Sequence, residues 1–197
     1  ASNPASPAPA PTTDLAAFKG TNYQRPEDLE IRTLTNGEQM LYVATTSTHE
    51  VYSINLNTGL VNRFASRSTI DAATGIPVGT ALTNPDNLAI DADGHIYIVE
   101  DQPGGLADIW MARDDNQDGI AESLSRWASL STLGAEPTGL YFDVTNPNIA
   151  FVNVQHPNSG VDSLVEISAV PLVGSLPLML GAAGLMGVMR RRPRHEG

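Results

Sequence analysis

The stretch Arg25-Pro26-Glu27-Asp28-Leu29-Glu30-Ile31 decides how this chain is read, because it returns twice in looser form. Asn84-Pro85-Asp86-Asn87-Leu88-Ala89-Ile90 is the second copy, and Glu136-Pro137-Thr138-Gly139-Leu140-Tyr141-Phe142 the third. All three share Pro-x-x-Leu, beginning at Pro26, Pro85 and Pro137, 59 and then 52 residues apart. Each sets a carboxylate beside its proline: Glu27 and Asp86 just after it, Glu136 just before it. Each runs into an apolar stretch, a turn and a second apolar stretch.

Around these copies the β-branched and aromatic residues fall into short segments. Unit one offers 29–34, 40–46, 51–55 and 60–65, with Asn36-Gly37 and Asn57-Thr58-Gly59 as its turns. A connection over 66–83 leads to unit two, with segments 88–91, 95–100, 107–113 and 123–128. Unit three offers 140–144, 149–154 and 164–168, and no fourth segment. Four short strands per unit at this period are the signature of β-propeller blades. The expectation is an all-β fold over residues 15–168: three four-stranded antiparallel blades, the last incomplete. A ring takes about four to eight blades, so further blades are expected upstream. The blade faces left open are an aggregation hazard. The chain does not begin with Met and no signal peptide opens it, so it reads as the C-terminal piece of a longer protein. Residues 1–14, rich in Ala and Pro, read as a flexible lead-in.

Formal net charge is −11 over 197 residues. Four of the eleven basic residues and one of the 22 acids fall after Met189, leaving 7 basic and 21 acidic side chains before it. Nucleic acid is therefore not an expected partner, since phosphate neutralisation needs a basic face. The chain has no Cys, which excludes a disulfide framework, a thiolate metal knuckle and a thiol nucleophile within it. No Gly-x-Ser-x-Gly elbow, P-loop or Gly-x-Gly-x-x-Gly is present.

Residues 170–189 carry no charge, and Arg190-Arg191-Arg192 follows at once. As a helix this run would be roughly 30 Å long, the thickness of a bilayer core, with a basic stop after it. Residues 169–197 are therefore expected to hold a transmembrane helix. Val170-Pro171-Leu172, Ser175-Leu176-Pro177-Leu178, the Gly-rich run and the Arg cluster resemble an exosortase-type PEP-CTERM sorting signal in its VPLPA-like variant, with Val173-Gly174 where that variant usually has Pro-Ala. The resemblance implies export from a Gram-negative cell and an inner-membrane anchor. It also implies an exosortase-type processing enzyme as partner, cutting near Val170-Pro171 for release to the periplasm or cell surface.

Carboxylates are hard oxygen ligands. If inner strands line a central channel, Glu27, Asp86 and Glu136 face one another there, and a bound cation relieves their repulsion. The competing reading is that each acid caps its own turn. Arg25, two positions before Glu27, is expected on the same face of an extended strand. There its fork suits a phosphate or oxyanion, unless it pairs with Asp28 or Glu30. Asp101 and His156 close the second segments of units two and three and are candidates for a further ligand or a proton carrier. Asp114-x-Asn116-x-Asp118-Gly119 matches the first half of a calcium loop, with Glu122 at position nine and Ser125 where a bidentate Glu is expected. An Asp-Gly hairpin tip explains the same letters.

The order of Arg25-Pro26-Glu27-Asp28, Asn84-Pro85-Asp86-Asn87-Leu88, Asp93-Gly94, Glu100-Asp101, Ala135-Glu136-Pro137-Thr138-Gly139 and Phe151-Val152-Asn153-Val154-Gln155-His156-Pro157 resembles PhoX-type alkaline phosphatases and related secreted propellers. The resemblance runs from about residue 18 to 167. It implies a six-bladed propeller that hydrolyses phosphate monoesters with a channel cluster of Fe³⁺ and Ca²⁺. Glu27, Asp86 and Glu136 then stand as metal ligands and Arg25 as the phosphate contact. The family's N-terminal half supplies a Cys iron ligand and more acids, so this piece alone is expected to be inactive. Two alternatives fit the same features: a non-catalytic, calcium-stabilised surface propeller for adhesion or matrix binding, and a propeller lactonase or esterase.

Overall fold

The computed structural model describes residues 23–102, 104–158 and 160–169. The predicted lead-in over 1–14 and the predicted sorting segment over 169–197, apart from Ala169, lie outside them. Among the described residues no helix is long and apolar enough to cross a membrane. Twelve strands among the described residues make three sheets, none closed on itself. The first sheet orders β1 (Pro26–Thr33), β2 (Gln39–Thr45), β3 (Glu50–Asn55) and β4 (Val61–Ala65) consecutively, all antiparallel. The second takes β6 (Pro85–Ile90), β7 (Ile96–Glu100), β8 (Asp108–Arg113) and β9 (Ser123–Ser129) in the same way. It gains a fifth strand, β5 (Ile70–Asp71), parallel to β9. The third holds β10 (Glu136–Phe142), β11 (Ile149–Gln155) and β12 (Ser163–Ser168).

The four-stranded expectation holds for the first sheet and the three-stranded one for the third. Sheet two departs from it because the 66–83 connection turns back on itself, with Asp71 N–H bonding Ile76 O at 2.8 Å and Ile70 bridging Pro77. That fold-back lays two residues along the free edge of β9, an edge otherwise open to pairing with another chain.

Sheet two is the middle layer. Its β7 is buried along its whole length, and the alternation of a strand divides it. Ile96 and Ile98 enter one core with Tyr42, Phe64, Leu82, Trp110 and Leu124. Tyr97 and Val99 enter the other with Ile109, Leu140 and Val152. This is why 96–99 reads as an unbroken apolar run rather than an alternating one. β1, by contrast, leaves Leu29 and Ile31 exposed on the side away from sheet two, and sheet three exposes Tyr141, Leu164 and Val165. The stack has two covered seams and two open faces.

The first strands of the three sheets, β1, β6 and β10, lie side by side, with β6 in the middle. Each begins earlier than expected, because its proline corner already pairs with the next strand. Proline is tolerated at a strand's first positions, where its missing N–H costs least. Each strand then bulges just after that corner: between Pro26 and Leu29, between Pro85 and Asn87, and between Thr138 and Tyr141. A bulge re-aims side chains, and here it sends one residue per sheet to the next. Asp28 Oδ2 accepts from Leu88 N–H at 2.8 Å. Asn87 Oδ1 accepts from the Thr138 hydroxyl at 2.6 Å and from Gly139 N–H at 3.4 Å. The repeat is thus a structural one, each unit stapled to its successor by the residue two after its proline.

Apolar burial outweighs the staples: a fully buried side chain such as Ile98 is worth about 1.5–3 kcal/mol, a single hydrogen bond about 0.5–1.5 kcal/mol. The staples set register rather than adhesion. Asp28→Ala frees both Leu88 N–H and Leu29 N–H, which Asp28 Oδ1 accepts at 2.8 Å. Urea unfolding is expected to show a loss of about 1–2 kcal/mol with the slope unchanged; a loss below about 0.3 kcal/mol would mean the staple is incidental.

Candidate functional site

The acids flanking the three prolines meet where β1, β6 and β10 begin. Glu27 and Asp86 stand in their bulges. Glu136 reaches the same place from one position before its proline. It pairs with Gln155 across the ladder, and Gln155 Nε2 donates to its Oε1 at 2.9 Å. The position matching Glu27 and Asp86 in unit three is Thr138, whose hydroxyl is spent on the staple.

Asp101 follows β7 directly, its N–H bonded to Asn84 O at 2.9 Å, as Thr46 N–H bonds Arg25 O at 3.0 Å. The ladder partner of Glu136 makes Gln155, rather than His156, the counterpart of Asp101. His156 lies one residue beyond, at φ 54°, close enough to Asp101 for its charge to act there.

Arg25 is not in an extended strand. Its φ is 51°, left-handed, in the residue before a proline, where such a backbone is disfavoured. The two-residue strand face expected for Arg25 and Glu27 therefore does not apply, and the turn does the work. Arg25 Nε stands 3.0 Å from Glu27 Oε1, and one terminal nitrogen 3.8 Å from Asp101 Oδ2. Asp28 and Glu30, the alternative partners, are not engaged by it. Asn84, equivalent to Arg25, is also left-handed, at φ 42°.

The electrostatics record the convergence. Asp86 is pushed up to about 6, first by burial and then by Glu27, Asp101 and Glu136, with Arg25 pulling the other way. Asp101 is raised by burial and then by Glu136, against Arg25. Asp101 Oδ1 is buried without a hydrogen-bond partner, an orphan it shares among the described residues only with the Tyr42 hydroxyl. Four carboxylates thus act on one another, and Arg25 balances three of them, Glu27, Asp86 and Asp101. Their donor atoms are all hard oxygens, the type Ca²⁺ and Fe³⁺ take, and one is unsatisfied, but as they stand their ligand atoms are not gathered within 4.8 Å of one another.

Among the described residues, the trio of potential ligand side chains whose ligand atoms all lie within 4.8 Å of one another is a different one: Asp91, Asp93 and His95, in the turn at the far end of β6. Asp91 is already spent there. Its Oδ1 accepts from Asp93 and His95 N–H, and its Oδ2 meets His95 Nδ1 at 2.8 Å and the Tyr97 hydroxyl at 3.1 Å.

In the hairpin between β8 and β9, the calcium-loop letters serve the loop's own backbone. Asp114 accepts from Asp118 and Gly119 N–H, Asn116 Oδ1 from Asp118 N–H, and Asp118 Oδ1 from Ile120 N–H. Glu122 Oε2 accepts from Asp115 N–H. These are the bonds of an Asx-type turn tip.

Two supporting residues escaped the sequence reading. Glu100, fully buried beside Asp101, accepts from Thr83 N–H at 2.8 Å, Trp110 Nε1 at 2.9 Å and Asp108 N–H at 3.0 Å. Its one signal was an acid inside an apolar strand. His49, left-handed at φ 57°, accepts Asn84 N–H on Nδ1 at 2.9 Å and so braces the Pro85 corner. Burial, and then Arg67, hold its pKa low, consistent with a neutral ring acting as acceptor. Nothing in its sequence neighbourhood signals this.

Compared with known protein families and with curated proteins, the chain matches none.

Proposed function

We propose that this chain is the C-terminal part of a PhoX-like secreted β-propeller, and that the acid cluster binds metal for phosphate monoester hydrolysis. The observation that carries the reading is the mutual approach of Glu27, Asp86, Asp101 and Glu136 at the three repeated corners, with Arg25 paired to Glu27 and Asp101 among them. β1, β6 and β10 side by side, each the first strand of its sheet, suit the inner strands of successive blades. Glu27, Asp86, Asp101 and Glu136 would hold Ca²⁺ or Fe³⁺, which supplies positive charge against the phosphoryl oxygens. Gln155 orients Glu136. Arg25 exchanges its carboxylate partners for two phosphoryl oxygens, a match its planar fork is built for. His156, beside Asp101, carries a proton to or from the reacting group. In this reading the sorting segment over 169–197 sends the protein out of the cytoplasm and anchors it in the inner membrane until an exosortase-type enzyme cuts it.

The test uses the longer parent protein: p-nitrophenyl phosphate turnover with and without chelator, beside its metal content. Chelator-sensitive turnover is expected, with Arg25→Ala lowering kcat/KM by about 10²-fold. Turnover that survives Glu27→Gln and Asp86→Asn would sink the site assignment. One observation favours a second reading, a non-catalytic, calcium-stabilised surface propeller: Arg25 is already held by Glu27 and Asp101. Calcium in the parent without turnover is its signature.

A further inference from the structure

At the opposite end of β6, about 17 Å from Asp86 by strand rise, a cavity of about 280 Å³ opens between sheets two and three. One wall is aromatic. Tyr97, Trp127 and Phe142 stand with ring centroids 4.6–5.9 Å apart and planes steeply tilted. Asp91 and Asp93 stand at the rim, and no Lys, Arg or His side chain lines the cavity. Asp91 is fixed by its bond to the Tyr97 hydroxyl, while Asp93 is exposed to solvent. The volume is near the lower limit for small-ligand sites.

The geometry points to a binding site for a small organic cation, an alkylammonium or quaternary ammonium group, packed on the Tyr97–Trp127–Phe142 wall and facing Asp91 and Asp93. The sign of the ligand follows from the rim. The lining holds two carboxylates and no basic side chain; Asp91 is engaged by His95 and Tyr97, and Arg32 lines the adjoining depression, so the exposed Asp93 is the group that repels anions and attracts cations here. The wall selects further, since ring faces attract a cation beyond what apolar contact alone supplies. A hydrated metal ion gains little from an aromatic wall, whereas an alkylated ammonium uses both features. This site shares no residue with the acid cluster at the start of β6.

The probe is choline, set against its neutral analogue in which carbon replaces the quaternary nitrogen. Binding to the full chain is followed by tryptophan fluorescence and by saturation-transfer NMR of the ligand. Chelator is present so that metal at Asp91, Asp93 and His95 plays no part, and only non-ionic detergent is used. Choline is expected to bind saturably, at least about 5-fold tighter than the neutral analogue. Asp93→Asn, a change at an exposed turn, is expected to weaken choline about 3-fold or more and leave the analogue unchanged. Phe142→Leu is expected to weaken both. Equal affinity for the two probes would overturn the cation assignment, as would indifference to Asp93→Asn. No saturation below about 50 mM would overturn the site itself.

Discussion

Glu100→Ala is expected to destabilise the chain by about 3–5 kcal/mol. The carboxylate is fully buried at the last position of β7 and holds three donors: Thr83 N–H and the Trp110 indole on one oxygen, Asp108 N–H on the other. Truncation leaves the buried Trp110 donor and the part-buried Thr83 and Asp108 donors unpaired, each costing about 1–3 kcal/mol where relaxation does not bring in water, and opens a cavity beside Trp110. Glu100→Gln separates charge from shape. Its carbonyl can serve Thr83 and Trp110, but its amide then confronts the Asp108 donor, so a smaller loss of about 1–3 kcal/mol is expected. Urea unfolding followed by far-UV dichroism measures both, and a red-shifted Trp110 emission should accompany the alanine variant. A loss under about 1 kcal/mol for Glu100→Ala would mean that the three bonds are not jointly maintained. The effect reaches the site as well. Thr83 leads into the Asn84-Pro85-Asp86 corner and Asp101 follows Glu100, so this carboxylate sets the spacing of two of the four acids.

What was legible in the chain, and what was not, divides along a physical line. The repeats were legible because a proline corner followed by a leucine leaves a fixed trace in sequence, and β7 because four consecutive strand-forming residues, Ile96 to Val99, mark a strand buried on both faces. The grouping of Glu27, Asp86 and Glu136 followed from the repeat alone. Register was not legible. Whether Gln155 or His156 stands opposite Glu136 depends on a bulge, and a one-residue slip leaves no mark in composition. Arg25 was placed on the correct neighbour for a reason that does not hold: the contact comes from a left-handed residue before a proline, which no strand periodicity announces. β5 escaped because two residues are too few to show a pattern, and His49 because bracing by a side chain 35 residues away is a tertiary fact. The calcium-loop letters were ambiguous in sequence for a chemical reason: the same carboxylate oxygens that ligate an ion also cap a turn, and in the described structure they bond backbone N–H groups.

Asp86→Asn is expected to reverse its effect on stability according to whether a divalent cation is present. The Asp86 carboxyl is pushed up to about 6 by burial and by Glu27, Asp101 and Glu136, against a value near 3.9 in the unfolded chain. Between those two values the folded state binds more protons than the unfolded one, so without metal stability falls as pH rises from about 4 to about 6, and is flat above. A shift of about 2 units corresponds at most to about 3 kcal/mol; with solvent screening of a partly exposed group, about 1–2 kcal/mol is a fairer figure. Asparagine removes the charge and its repulsion. In chelator at pH 7 the variant should therefore be the more stable protein by about 1–2 kcal/mol, and at pH 4 the difference should vanish. Under the proposed metal site calcium is expected to act in the opposite sense, because it would bind the ionised cluster. At a concentration 100-fold above its Kd it stabilises the wild-type chain by about 2.7 kcal/mol. The variant, having lost one of four acids, gains less at the same concentration. The two thermal unfolding curves should accordingly change places between chelator and calcium at neutral pH. If Asp86→Asn is the less stable protein in both, Asp86 is a turn cap whose hydrogen bonds outweigh its repulsion. If it is the more stable in both, the four carboxylates repel one another but take no ion. Only the crossing of the two curves is what a cation-binding cluster requires.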